Sequence, residues 1–400
     1  MPARDLPMVA RLRAAGAIVL AKTNVPELGA GGNTRNPVWG ATGNPFDPRL
    51  TAGGSAGGSA AALAADLLPL CTGSDTDGSL RLPAALCGVV GCRPSVDVIA
   101  HPTRPLGWSG ISVLGPMARN MDDLILMLRA CHGADPDDPL SAPSDPARFN
   151  RLPAKPLHDL RLGYGEDFGG APVDPDIRAT FRARIAALSP RVAECRPVDL
   201  DLGQMDRTVD ILRAESFLAG FGQAIRETPE DFGPFIRRNV ERGLSFTFAD
   251  RAWAHGRTDP HPARLQRPDR GAGRHPAAHR AGLALPLDAR PYRAHRGAEM
   301  DICYRWLALT YRGSLTGGPS IVLPSGRDGR GLPFGLQVLG PVRGDGALLG
   351  VARTLEAAPA TARPRPDEAR LAQSRVDLRS IVTHPPLHAV RLTPPISTAV

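Results

Sequence analysis

Residues 51–95 read TAGGSAGGSAAALAADLLPLCTGSDTDGSLRLPAALCGVVGCRPS, and this stretch decides both the fold and the chemistry of the chain. It places two serines, Ser55 and Ser79, in glycine-rich turns joined by a run of small residues. Glycines beside a serine let the backbone take positive φ and approach a ligand closely, so each turn can aim a hydroxyl and several bare N–H groups at one point. A nucleophile and an oxyanion hole are built together in this way. Residues 59–68 are rich in alanine and leucine, which predicts a short buried helix capped by Ser59, its positive end towards the first serine turn. After Ser79, Pro83 suits a first helical turn, and residues 87–91 predict a small buried strand.

Two other readings of the glycines are weaker. A phosphate cradle would need GK[ST] after the glycines or G-x-G-x-x-G opening a helix after a strand, and neither is present. A flexible Gly-Ser linker would not carry the dense alanines and leucines found between the turns.

With these residues in view, the chain resembles the amidase signature family, serine hydrolases that cleave carboxamides with a serine, a second serine in a cis peptide, and a lysine. The resemblance implies Ser79 as the acyl-enzyme nucleophile and Ser55, after Gly53 and Gly54, as the bridging serine. It implies an oxyanion hole from the backbone N–H groups of Thr76, Asp77, Gly78 and Ser79, with Asp75 and Arg81 as a buried charge pair that holds the turn. Upstream, VARLRAAGAIVLAKTNVPELG and TRNPVWGATGNPFDP resemble the family's helix, strand and asparagine-rich approach to the first serine. Downstream, GPMARNMDDLILMLRACHGADPDDPLS resembles its next helix, and LTGGPSIVLPSGRDGRGLPFGLQVLGPVRGDGALLGVARTLEA its C-terminal strand, hairpin and helix. The matching blocks span most of residues 9–150 and 305–357. The implied fold is a single α/β domain over residues 1–357, a twisted mixed β-sheet covered by helices, and no metal or organic cofactor is implied.

The expected base is missing. A serine hydroxyl needs a neighbour to take its proton, and in this arrangement a neutral, desolvated lysine does so. In the family it lies roughly 70 residues before the cis serine, so counting back from Ser55 runs off the N-terminus. The chain has two lysines: Lys22 lies in AKTN, which resembles a family segment well after the catalytic lysine, and Lys155 sits in a proline-flanked connection that reads as solvated. Arginine stays protonated and cannot replace it. The expectation is a chain lacking its N-terminal part. Asp77 is a second departure, since the family usually has a small residue there, and its carboxylate opposes negative charge nearby unless it points to solvent. Ala56, where many relatives have another serine, is a milder one.

Composition narrows the rest. The net charge of +8 would suggest an anionic partner, but residues 255–296 hold nine arginines against three aspartates, leaving the remainder nearly neutral. That segment also carries half the histidines and six prolines and shows no sustained period, which reads as an anomalous basic insert or an out-of-frame stretch. His275 and His279 have a metal-like spacing, but Pro276 between them and the absence of nearby cysteines argue against a site. Residues 358–400 read as an irregular tail. The six cysteines are scattered, several in apolar runs, which predicts buried thiols in a reducing compartment, the cytoplasm. No apolar run is long enough to span a bilayer.

In the second half, residues 160–164 predict a strand, DIRATFRARIAALSP a helix ending at Pro190, and residues 204–243 amphipathic helices that line the cleft entrance. Glu166 and Asp167 are neighbouring acids, read as surface charge ahead of an acid and base pair. The function implied is hydrolysis of a small-molecule carboxylic amide to acid plus ammonia or amine, with no nucleic acid or membrane partner and a homo-oligomer admitted. Loss of the lysine makes a catalytically dead remnant or binding protein the first alternative. A glutamyl-tRNA amidotransferase A-type subunit, which shares the core, is the second.

Overall fold

Along Ser320–Arg327, alternate side chains face opposite ways and both ways are buried: Ile321 and Leu323 join one apolar cluster, Val322 another. A strand covered on both faces belongs to the middle of a layered α/β structure. The computed structural model describes residues 4–153, 155–198, 204–258, 275–279, 294–295, 298–299, 304–358 and 363–367.

Its main sheet contains β1 (Leu70–Asp75), β2 (Val90–Arg93), β3 (Val113–Ala118), β6 (His275–His279), β7 (Ser320–Arg327) and β8 (Pro333–Leu339). Their order is β6-β8-β7-β2-β3-β1, with antiparallel neighbours throughout. A parallel pair, β4 (Arg161–Tyr164) and β5 (Glu194–Pro197), makes the strand pairing as a whole mixed. Among the described strands β1 is an edge, with β3 as its one ladder partner.

Helices α1 (Pro7–Ala14), α4 (Met121–Cys131) and α10 (Asp345–Glu356) cover one face. Met8, Leu124, Leu128, Leu348 and Ala352 meet Val90, Cys92, Ile321 and Val338 there. Asn120 opens α4 by accepting from Asp123 N at 2.8 Å, and acids fill its first turn, where the helix dipole favours them. On the other face, α2 (Gly57–Ala64) and α3 (Arg81–Cys87) pack Ala60, Leu63, Ala84 and Ala85 against Cys71, Met117 and Val322. Between β4 and β5 runs α5 (Pro175–Leu188), opened by Asp174 accepting from Asp176 N with Pro175 in the first turn. The long helix α6 (Met205–Glu227), then α7 (Pro234–Ser245), α8 (Phe248–Thr258) and α9 (Ala308–Leu315) follow, and α3 is covered through Val209, Trp306, Leu307 and Tyr311.

Four local expectations need correction. The small-residue helix starts at Gly57, so Ser59 lies inside it and does not cap it; its hydroxyl donates to Thr72 O at 3.1 Å and meets Thr23 Oγ1 at 2.8 Å. The strand expected over residues 87–91 begins at Val90, because α3 continues to Cys87 and Gly88 ends it in the left-handed region at φ 65°. Residues 17–25 follow α1 without becoming a strand: no ladder partner lies beside them among the described residues, and Ile18, Val19 and Leu20 are 82%, 53% and 69% exposed. Within residues 255–296, α8 extends to Thr258 and β6 pairs with β8, so that region is not wholly without regular structure. Most of the rest of it lies outside the described residues, as do residues 368–400 and Cys303. The early tail is anchored: Arg363 donates to Leu63 O, and Arg327 to Arg365 O.

Glycine at position 58 sits in the first turn of α2 because its backbone meets Asn24: a Cβ there would lie 2.5 Å from both the N and the O of Asn24. Helix propensity alone would make Gly58→Ala stabilising by about 1 kcal/mol. Overpacking costs about 1–3 kcal/mol and here acts against backbone, so the variant is expected to be less stable than the parent in urea unfolding.

Candidate active site

The two serine turns meet at the sheet's α2–α3 face. Gly53 has φ 80°, and the Gly54–Ser55 peptide bond is cis. Gly54 must be glycine, since a Cβ would lie 2.5 Å from Gly31 O. Thr34 pins the turn, its hydroxyl donating to Ser55 O at 3.1 Å and accepting from Gly57 N at 3.0 Å. Ala56 N then donates to Ser79 O at 3.1 Å, which ties the first turn to the second. Ser55 is buried, whereas Ser79 is half-buried.

Asp75, the last residue of β1, organises the second turn. Its carboxylate accepts from Gly78 N at 2.9 Å, from Leu80 N at 3.3 Å, and from Arg81 Nε and Nη2 at 2.9 and 2.8 Å. Arg93 reaches the same carboxylate at 3.3 Å and also donates to Asp75 O. The Asp75 and Arg81 side chains are fully buried. Burial alone would raise the Asp75 pKa, but Arg81 and then Arg93 outweigh it and hold the carboxyl well below its usual range. Burial conversely pushes the Arg93 guanidinium down to about 10.

The four residues expected to offer N–H groups lie together on this loop, with one already engaged: Gly78 N–H donates to Asp75. Gly78, at φ 118°, also takes the positive φ, which Asp77 does not. A Cβ there would lie 2.2 Å from the Thr310 side chain, so α9 backs directly onto the loop. Asp77 does not point to solvent. Its carboxylate is buried against Arg213 of α6, a partner that sequence reasoning missed. Burial is the largest influence on Asp77 and raises its pKa; Arg213 opposes that, and Asp75 adds to it.

A cavity of about 230 Å³ lies beside Ser55, lined by Met8, Val25, Ser59, Ser74 and Leu114 among others. Neither lysine lines it. Lys22 and Lys155 are both exposed. Glu166 is bound by Arg178 at 2.9 Å and Arg182 at 2.6 Å, which makes it an ion-pair residue of the α5 surface. No group of three or more His, Cys, Asp or Glu suited to a metal occurs among the described residues, and no helix among them is long and apolar enough to cross a membrane. Cys71, Cys87, Cys92, Cys131 and Cys195 form no disulfide with one another.

Known proteins resemble this chain in sequence and in fold. A model of the family described as Amidase matches residues 1–255. The chain is 36% identical, over 90% of its length and 80% of the relative's, to the A subunit of the glutamyl-tRNA(Gln) amidotransferase of Thermus thermophilus. Among solved structures, a 6-aminohexanoate cyclic dimer hydrolase complexed with substrate superposes with a TM-score of 0.75 at 26% identity, covering 91% of this chain and 80% of that one. A bacterial aryl acylamidase of the amidase signature enzymes shares the fold, with a TM-score of 0.78 at 22% identity over 92% of this chain and 76% of that one.

The Asp75 cluster yields a stability prediction. Removing one partner of a buried ion pair costs about 3–5 kcal/mol, so Arg81→Met is expected to lower urea stability at pH 7 by that order. Asp75 has a lowered folded pKa, so its contribution is present above the unfolded carboxylate value and is lost as pH falls towards the folded one. The parent is therefore expected to lose stability on acidification below about pH 4, as read by urea midpoints across pH.

Proposed function

Because the chain belongs to the amidase family, we propose that it hydrolyses a linear carboxylic amide to the acid plus ammonia or an amine through an acyl-enzyme on Ser79. In this reading Ser79 Oγ attacks the carbonyl carbon while its proton passes to Ser55 and, with neither lysine lining the cavity, on to solvent water. The oxyanion of the tetrahedral intermediate accepts from the backbone N–H groups of Thr76, Asp77 and Ser79, with Gly78 N–H holding the loop to Asp75. Collapse breaks the C–N bond and expels the amine, which takes its proton back through Ser55; water then attacks the ester, the bond to Ser79 Oγ breaks, and the acid leaves as Ser79 regains its proton. No cofactor enters the scheme. What supports it most is the hydrogen bond from Ala56 N to Ser79 O, which couples the Gly53-Gly54-Ser55 turn to the loop that Asp75 and Arg81 hold.

Two other readings each have an observation behind them. Neither lysine lines the cavity beside Ser55, which favours an amidase-like protein with little or no turnover, since loss of one member of a catalytic triad costs on the order of 10⁴ to 10⁶ in kcat. The 36% identity to an A-type amidotransferase subunit favours a role as the amide-hydrolysing component of a complex. Among the described residues Cys71, Cys87, Cys92 and Cys131 are buried free thiols and Cys195 a half-buried one, which fits a reducing compartment, and we assign the protein to the cytoplasm on that ground.

Labelling with a fluorophosphonate probe, read by intact mass and peptide mapping, separates catalysis from inertness. Stoichiometric modification at Ser79, abolished in Ser79→Ala and slowed at least about 100-fold in Ser55→Ala, is the expected outcome. An unlabelled parent chain would establish the non-catalytic reading.

A further inference from the structure

An aspartate inside a loop built to receive negative charge is an electrostatic conflict, and Asp77 is such a residue. Its side chain is 5% exposed, and Oδ1 is buried with no hydrogen-bond partner among the described residues. Only one cation reaches its carboxylate directly among the described residues, Arg213 through Nη1 to Oδ2. The guanidinium comes from α6, 136 positions further along the chain, and is itself 7% exposed. It is held on several sides: Nε donates to Asn239 Oδ1 of α7 at 3.3 Å, and the guanidinium lies over the rings of Phe217, Phe235 and Tyr304 at 4.7, 5.6 and 4.6 Å. Tyr304 is fixed in turn by donating to Asp210 at 2.7 Å. Such a socket fixes a guanidinium at one point, and it does so beneath the oxyanion loop.

We propose that Arg213 is a positioning residue for the oxyanion loop: it cancels the charge of Asp77, so that the N–H groups of the loop face a net environment able to accept an oxyanion. The inference rests on the amidase reading of Ser79. It assigns a function to α6 and α7, which lie outside the Gly-Ser core, since they carry the socket that sets the loop's electrostatics. The other charges around Asp77 do not substitute. Asp75 on the same loop adds repulsion; Arg93 from β2 also favours the Asp77 carboxylate, though less than Arg213 does, and both it and Arg81 from α3 are bonded to Asp75.

The test is a cycle of Arg213→Met, Asp77→Asn and the double variant, each read for fluorophosphonate labelling rate at Ser79 and for urea stability at pH 5 and pH 8. Arg213→Met is expected to slow labelling about 100-fold, the scale of losing an oxyanion donor, and the double variant to return to within about fivefold of the parent. Asparagine restores none of the aromatic packing, so rescue separates charge cancellation from a structural role. Without Arg213 the Asp77 carboxyl has a folded pKa raised further, and such a group loses stability as pH rises through that value. Arg213→Met is therefore expected to gain stability at pH 5 relative to pH 8, a gain absent in the double variant. A double variant that labels as slowly as Arg213→Met, or a stability deficit equal at both pH values, overturns the proposal. If the parent is not labelled, the amidase reading fails, and the stability cycle still decides whether Arg213 neutralises Asp77.

Discussion

Everything near the serines depends on one buried carboxylate. Asp75 ends an edge strand, yet it is fully enclosed and binds two arginines and two backbone N–H groups. Arg81 carries that order outward, donating to Thr310 O at 2.9 Å, to Gln337 Oε1 at 2.7 Å and to Ser314 Oγ at 2.7 Å. Gln337 in turn accepts from Ser320 Oγ and donates to Leu309 O. Through these side chains the loop after β1 is fastened to α9, β7 and β8. Removing charges from water costs several kcal/mol each, and a hydrophobic cluster of the same volume would often serve stability as well. What the polar network adds is a fixed geometry, because a bidentate fork tolerates little rotation.

Of this network the sequence reading held only the Asp75–Arg81 pair, and the fold was legible chiefly where the signal was local. The glycines around Ser55 and Ser79 predict turns with positive φ, found at Gly53 and Gly78, and the blocks that resemble a following helix and a C-terminal strand, hairpin and helix are found as α4, β7, β8 and α10. Failures arose where the deciding contact was distant. Residues 17–25 carry the branched apolar composition of a strand, but a strand exists only with a ladder partner, and none is described beside them. Ser59 looked like a cap because serine commonly is one; the glycines before it allow the helix to begin two residues earlier. Arg213 was invisible in principle, since one arginine among many on a long helix has no mark that it will lie against residue 77. Arg93 was less hidden: a charge inside the apolar run VVGCRPS signals a buried partner.

The two halves of the site differ in how they are built. The Gly-Ser core uses backbone geometry, with Gly54 and Gly78 admitting close contact with Gly31 and Thr310. The covering helices use side chains, chiefly arginines over aromatic rings and in ion pairs: Arg242 and Arg305 both reach Asp210 at 2.8 Å, and Arg312 holds Asp206 at 2.9 Å. Backbone geometry leaves few residue choices open, whereas arginine–aromatic sockets can be rebuilt in many ways. The cover is therefore the part of this architecture where substitutions can retune the site while the core stays as it is.

Among the described strands the sheet stops at β1, and that ending has a practical consequence. Leu70–Asp75 carries neither lysine nor proline, its one charge is turned inward, and of the carbonyls along it Thr72 O is met by Ser59. None of its residues is exposed, and Met8, Val9, Thr23 and Val25 line one cavity with Thr72, Gly73 and Ser74, so the edge is protected by what lies over it. Ile18, Val19 and Leu20 add bare apolar surface to the same molecule. Where copies of this chain meet, that apolar surface and not the protected strand edge is the part exposed to contact.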